Sequence, residues 1–292
     1  MTEELRLAAF LAARPRLLRL AYRYLQTVSE AEDVVQDCWL RFSAAAIPDD
    51  CESYLARIVT RLCLDRLKSA THRRETYVGP WLPEPLAGAT EPAGDTALDI
   101  SFAVMRALET LSPEERAAYF LHDLFDVPFA EIASELGMTP AHCRKLAGRA
   151  RERLQSSRQR SKPGDAQLSA FLQVFLEAVQ TGNEEPLRRM LAEDVEFVSD
   201  GGGKALAALN IVRGRDAVAR LLLGLARKQL RAGPPIVRPV HFNGMAGLAL
   251  LEGERLDQVM SFDLDASGAI AALYTVRNPD KLDKRLVANG QP

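Results

Sequence analysis

The chain is short of everything that builds a metal or redox centre. Its four cysteines, Cys38, Cys51, Cys63 and Cys143, are scattered and make no C-x-x-C pair. That argues against a zinc knuckle or a disulfide framework and fits a reducing compartment. No apolar run approaches the ~18 residues that cross a bilayer. The start, Met-Thr-Glu-Glu-Leu-Arg, lacks the basic and apolar segments of a signal peptide. The expectation is a cytoplasmic protein with no membrane contact, no metal and no cofactor. Basic residues are missing altogether from Glu75 to Met105, a stretch that holds five acids.

What is present is 292 residues, enough for two or three domains, with 47% hydrophobic and 26% charged residues. This is a soluble globular composition. The net charge of −2 hides a strong local asymmetry. Between Thr139 and Lys162, eight Lys/Arg stand against one acid, Glu152, a local charge of +7. Such a stripe is the footprint of a phosphate-contacting element.

Residues 77–85, Tyr-Val-Gly-Pro-Trp-Leu-Pro-Glu-Pro, cannot be helical, because three prolines and a glycine remove donors and favour extended geometry. Yet the stretch carries Tyr77, Val78, Trp81 and Leu82. It is either a proline-rich spacer whose Trp packs on the nearest domain or a strap gripped by another part of the chain.

Before the strap, residues 5–72 read as helical. Pro15 suits a first helical position, Ser29-Glu-Ala-Glu32 reads as a capping box, and a long helix spans about Glu52 to Thr71. Beyond it, Ser112-Pro-Glu-Glu115 opens a helix. Phe129–Leu136, a Gly137-Met138 turn and a helix from Thr139 to about Leu154 have helix-turn-helix spacing. On that last helix Cys143, Leu146, Ala147, Ala150 and Leu154 share an inward face, while His142, Arg144, Lys145 and Arg149 point outward. Arginine can pair bidentately with guanine in a major groove. The competing reading is a basic, solvated helix at the end of a bundle.

From Asp165 the pattern changes to two helices (165–180, 184–191), a strand over 194–199, a helix from Asp216 to Leu230 and four strand-like segments. These are Ile236–Phe242, Met245–Leu251, Gln258–Leu264 and Ala269–Arg277, an α+β arrangement. No basic cluster of the earlier density follows, so this part is not an obvious DNA binder.

Residues 5–155 resemble an extracytoplasmic-function (ECF) sigma factor of the sigma-70 family. Residues 29–42 are similar to its region 2.1–2.2, 54–68 to regions 2.3–2.4 and 112–154 to region 4. The strap Trp81-Leu-Pro-Glu-Pro85, with Asp200-Gly-Gly-Gly-Lys204 and Asn278-Pro-Asp-Lys-Leu282, resembles a group carrying a C-terminal SnoaL-like extension. The resemblance implies two all-α sigma domains, the second with a helix-turn-helix, followed by an α+β SnoaL-like cone. The implied boundaries are 1–74 for region 2, 75–98 for the linker with the strap, 99–158 for region 4, 159–164 for a second linker and 165–292 for the cone.

It also implies roles. Asp33, Gln36 and Asp37 match the helix that grips the β′ clamp helices of core RNA polymerase, and the β flap is a further implied contact. Arg57, Thr60, Arg61, Asp65, Arg66 and Lys68 match the −10 reader; Arg61 stands where many members have asparagine, and Cys63 replaces a small alanine. His142, Arg144, Lys145 and Arg149 match the −35 reader. Trp81, Leu82, Pro83, Glu84 and Pro85 are expected to meet Asp200, Gly201, Gly202, Gly203 and Lys204 together with Asn278, Pro279, Asp280, Lys281 and Leu282. On this reading the chain is not an enzyme. It directs core polymerase to promoter DNA, and its third domain regulates it in cis by contacting a strap that lies on the route sigma linkers follow through the polymerase. A small-molecule ligand in the cone stays open. The rival is a SnoaL-like enzyme or small-molecule sensor fused to a helix-turn-helix, with Asp200 or His241 as its base.

Overall fold

The computed structural model describes residues 3–46, 48–75, 77–87, 99–158 and 160–288, without the side chains of 68–75, 156–158, 232 and 288. The side chains of Lys68 and Arg158 and most of the 75–98 linker lie outside these. The described chain divides into two compact units, one carrying 3–46, 48–75, 99–100 and 104–157, the other 77–87, 101–103, 158 and 160–288.

The first unit is helical: α1 (Glu3–Leu25), α2 (Val28–Ala44), α3 (Cys51–Glu75), most of α4 (Phe102–Glu109), α5 (Pro113–Phe125), α6 (Phe129–Leu136) and α7 (Pro140–Arg158). Helices α1, α2 and α3 pack on one another. They bury Leu17, Leu20 and Ala21 with Val34, Cys38 and Phe42 of α2 and Leu55, Val59 and Leu62 of α3.

Two local expectations are corrected here. Pro15 lies inside one continuous helix rather than opening a second. The ring forfeits one ladder hydrogen bond, a cost of about 3 kcal/mol in an exposed helix. Burial of Phe10, Ala13 and Leu17 on both sides outweighs it. The Ser29–Glu32 capping box does not form. Gln26 takes a left-handed turn (φ 63°), so Thr27 becomes the N-cap and Ser29 already sits inside α2. Ser112 and Glu115, by contrast, exchange both capping-box hydrogen bonds.

The second unit is α+β. It comprises α8 (Asp165–Thr181), α9 (Glu185–Met190), β1 (Leu191–Asp200), β2 (Val212–Arg213), α10 (Arg215–Ala232), β3 (Ile236–Phe242), β4 (Met245–Glu252), β5 (Arg255–Leu264), β6 (Ile270–Val276) and α11 (Arg285–Ala288). The strands form one sheet in the order β2-β1-β6-β5-β4-β3, with β1 and β6 parallel and the other pairs antiparallel.

Side chains alternate across a strand, so this sheet has two faces to cover. One packs Phe197, Leu248, Phe262 and Leu273 against Phe171 of α8, Leu187 of α9 and Leu222 of α10. The other carries Val198, Val240, Phe242, Met245, Val259, Tyr274 and Val276, and its cover comes from Leu82 of the strap, Phe102 and Leu286. Phe102 sits 5.7 Å from the Phe242 ring and 5.5 Å edge-on to Tyr274. The strap is therefore part of this unit's core.

Candidate nucleic-acid interface and strap-binding site

The helix-turn-helix is built as its residues dictate. Gly137 takes φ 66°, a left-handed value that costs glycine nothing, and ends α6. The Thr139 hydroxyl accepts the His142 N–H at 3.2 Å and starts α7. Cys143, Leu146, Ala147, Ala150 and Leu154 are all buried, whereas His142, Arg144, Lys145 and Arg149 are exposed along one side. Phe129 forms a platform beneath that side. Its ring stacks on His122 at 3.8 Å, and the Arg144 guanidinium lies 5.9 Å from its centroid.

Part of the +7 charge is neutralised within the fold. Arg151 makes a bidentate pair with Asp123 (2.5 and 2.6 Å), and Arg153 pairs with the nearly buried Glu115 at 2.8 Å. The acids come from α5, out of sight of a charge count along α7.

The residues of α3 do not share one environment. Arg61 and Asp65 are exposed. Arg66 reaches back to α2, 3.0 Å from Asp37 and 3.7 Å from Asp33, and donates to the Glu30 carbonyl. Gln36 and Asp33 are exposed on α2, with Asp37 half-buried beside them. Arg57 is engaged by Glu131 of α6, and Thr60 is only 2% exposed. The same side of α3 meets α5, where Ser53 donates to the Phe125 carbonyl at 3.0 Å. Arg16 of α1 similarly donates to the Leu124 carbonyl at 2.8 Å.

The strap site is centred on Asp200, whose side chain is wholly buried at the end of β1. One carboxylate oxygen accepts the Tyr77 hydroxyl; the other accepts the Leu82 backbone N–H at 2.9 Å and Lys281 Nζ at 2.8 Å. Lys281 Nζ also donates to the Leu82 carbonyl at 2.7 Å and stands 3.1 Å from the Trp81 ring centroid. Tyr77 packs edge-on to Trp81 at 4.6 Å. Both main-chain groups of Leu82 are thus satisfied by one buried ion pair, and an aromatic face covers the cation. Burial, and then the hydrogen bond to the Asp200 carboxylate, push the Tyr77 hydroxyl well above the usual tyrosine range.

Asn278 completes the clasp. Its Nδ2 donates to the Tyr77 hydroxyl at 2.8 Å, and its Oδ1 accepts from Asp280 N, opening the 3₁₀ turn Pro279–Lys281 that aims Lys281 inward. Lys204 pairs with Asp280 at the surface. The three glycines between Asp200 and Lys204 are steric requirements. A Cβ at Gly201 would lie 2.3 Å from the Ala205 carbonyl oxygen and one at Gly202 2.3 Å from the Asn278 amide. One at Gly203 would crowd Val78. Gly202 and Gly203 also have φ of 58° and 71°. Leu82, Pro83 and Pro85 are buried; Trp81 and Glu84 are half-buried, and Leu282 packs against the same core.

A second anchor went unseen in the sequence. Leu86 N donates to the Asn243 side chain at 2.8 Å, and Asn243 N donates to the Leu86 carbonyl at 3.0 Å. Asn243-Gly244 carries the local signature of a hairpin turn between two strands; that its buried side chain also holds the strap has no signal in spacing. Tyr77 lay within the recognised stretch, but its pairing with Asp200 was equally invisible. His241, offered as a base, is exposed and lies 3.1 Å from Asp165. Among the described residues, no helix is long and apolar enough to cross a membrane.

Residues 9–73 match the family model of sigma-70 region 2, and residues 101–154 that of sigma-70 region 4. The chain belongs to the ECF RNA polymerase sigma factors of the sigma-70 family. Along nearly its whole length it is similar to the ECF RNA polymerase sigma factor SigJ of Mycobacterium tuberculosis, with 40% identity over 93% of this chain and 91% of the relative. The probable ECF sigma factor SigI of the same species is 30% identical over 94% of both chains. The crystal structure of M. tuberculosis SigJ superposes with a TM-score of 0.72 at 34% identity, covering 94% of this chain and 97% of that one. The expected class, helical sigma domains followed by an α+β domain, holds throughout.

Proposed function

We propose that this sigma factor carries its own regulator: the α+β domain grips the 77–87 strap and competes with core polymerase for it. The observation that carries this is the buried Asp200–Lys281 pair closing on both main-chain groups of Leu82. Desolvating an ion pair costs several kcal/mol per charge, so it is a poor device for stability alone and a good one for specifying a single bound segment. A strap ordered by contacts that it loses elsewhere is a two-state element whose balance a competing partner shifts.

Within this reading the organisation is a region 2 domain (1–74), a linker (75–98), a region 4 domain (99–158), a short linker (159–164) and the regulatory domain (165–292). His142, Arg144, Lys145 and Arg149 read the −35 element. Arg57, Thr60, Arg61, Asp65, Arg66 and Lys68 serve the −10 element, and Asp33, Gln36 and Asp37 dock on the β′ clamp. The protein works in the cytoplasm and its third domain is not catalytic. The two bases of the rival are already committed, Asp200 to the strap through both oxygens and His241 to Asp165 at the surface.

Run-off transcription with core polymerase on a promoter library tests the assignment. The full chain should select a defined −35/−10 pair, and Arg144→Ala should relax the −35 preference while transcripts persist. Unchanged promoter choice in that variant would remove the recognition-helix assignment.

A further inference from the structure

Helix α10 buries Val218, Ala219, Leu222 and Leu223. At 100° per residue the opposite face presents Arg220, Gly224, Arg227, Lys228 and Arg231, all exposed. No acid occurs from Ala217 to Ala232. The neighbouring carboxylates are engaged elsewhere, Asp216 with Arg188 at 2.8 Å and Glu252 with Arg255. Among the described residues, Arg227, Lys228 and Arg231 have no ion-pair partner, and Arg220 donates only to the Asp216 carbonyl of its own helix.

Gly224 supplies a second, independent observation. A glycine in mid-helix weakens it relative to alanine, so it needs a reason. At Gly201, Gly202 and Gly247 the reason is a clash that a Cβ would meet; at Gly224 a Cβ would meet nothing within 4 Å. Gly148, between Lys145 and Arg149 on α7, is likewise a helical glycine facing open space. The demand for a bare backbone then comes from outside the chain.

We infer that this face of α10 is a second DNA-contacting surface, seating the phosphate backbone of duplex DNA. It is the one departure from the sequence-based expectation that DNA contacts end with α7. Arg220 to Arg231 span about 16 Å along the axis, enough for several successive phosphates. Gly224 lets the sugar-phosphate chain approach the helix between the cations. Duplex DNA fits better than an acidic protein because the centre of the face is cationic, with Leu225 and Leu230 only at its margins; protein interfaces concentrate apolar and aromatic side chains at the centre. The contact is positional, since no Asn or Gln stands on the face to read a base.

The test uses the full chain and a duplex lacking promoter sequence, with affinity followed by anisotropy between about 50 and 200 mM salt. Arg227→Gln/Arg231→Gln should weaken binding and reduce the slope of log K against log salt by about 1.8, two phosphates' worth. Gly224→Ala should raise the melting temperature yet weaken the same binding. Unchanged affinity and slope in the double variant would overturn the inference. So would a loss confined to core polymerase binding, which would assign the face to an acidic protein partner. If Gly224→Ala binds DNA as tightly as the parent, the close approach is wrong and the proposal falls with it.

Discussion

Lys281 Nζ lies 2.8 Å from the Asp200 carboxylate, and both side chains are almost completely withdrawn from solvent, at 8% and 0% exposure. Neither charge is tolerable without the other, and together they fix Leu82. Lys281→Met should therefore destabilise the second unit by about 3–5 kcal/mol, because it strands a buried carboxylate. The double variant Asp200→Asn/Lys281→Met should recover part of that loss. Chemical denaturation of Lys281→Met, Asp200→Asn and the double variant, beside the parent, measures the coupling.

Leu82→Ala removes an apolar side chain from the second sheet face without touching the ion pair. A cost of about 2–5 kcal/mol is expected. In a Trp39→Phe background Trp81 is the sole tryptophan, and its emission should shift to the red as the strap loosens.

Gly202→Ala places a methyl group against the Asn278 amide at a backbone φ of 58°. Limited proteolysis should then cut within 77–87 faster than in the parent, while Gly224→Ala, with open space around it, should leave that cleavage unchanged.

The Tyr77 hydroxyl is held neutral by burial and by the Asp200 carboxylate, so its folded pKa lies above the ordinary 10.0. A raised value means that the stabilisation is complete below about pH 10 and is lost as pH rises beyond it. Trp81 emission should report strap release above that pH. Tyr77→Phe should weaken the dependence and leave the part that comes from loss of the Lys281 charge.

Glu131 pairs with Arg57, one of the residues proposed to serve the −10 element. Glu131→Gln should strengthen binding of a single-stranded −10 oligonucleotide by the free protein severalfold at most, since an exposed pair contributes about 0–1 kcal/mol.

The periodic parts of this fold were readable because burial writes them into the chain. The inward face of α7, the Ser112 cap, the Gly137 turn and the four later strands all follow from local spacing and turn chemistry. Pro15 and Ser29 misled because tertiary packing and a left-handed Gln26 override local preference. The strap's aromatic load pointed to a surface that covers it, whereas the crowding that requires the glycines after Asp200 emerges only in the fold. The geometry of that cover depends on pairings across more than a hundred residues. No periodicity encodes Tyr77 with Asp200, Leu86 with Asn243, or the acids of α5 that neutralise Arg151 and Arg153.

The most direct measurement of the central claim is the affinity of core RNA polymerase for the full chain and for Asp200→Asn/Lys281→Met, with strap release confirmed by Trp81 emission. If the third domain competes for the strap, the released variant should bind core at least tenfold more tightly, about 1.4 kcal/mol. Equal or weaker binding by a variant whose strap is demonstrably free would contradict it.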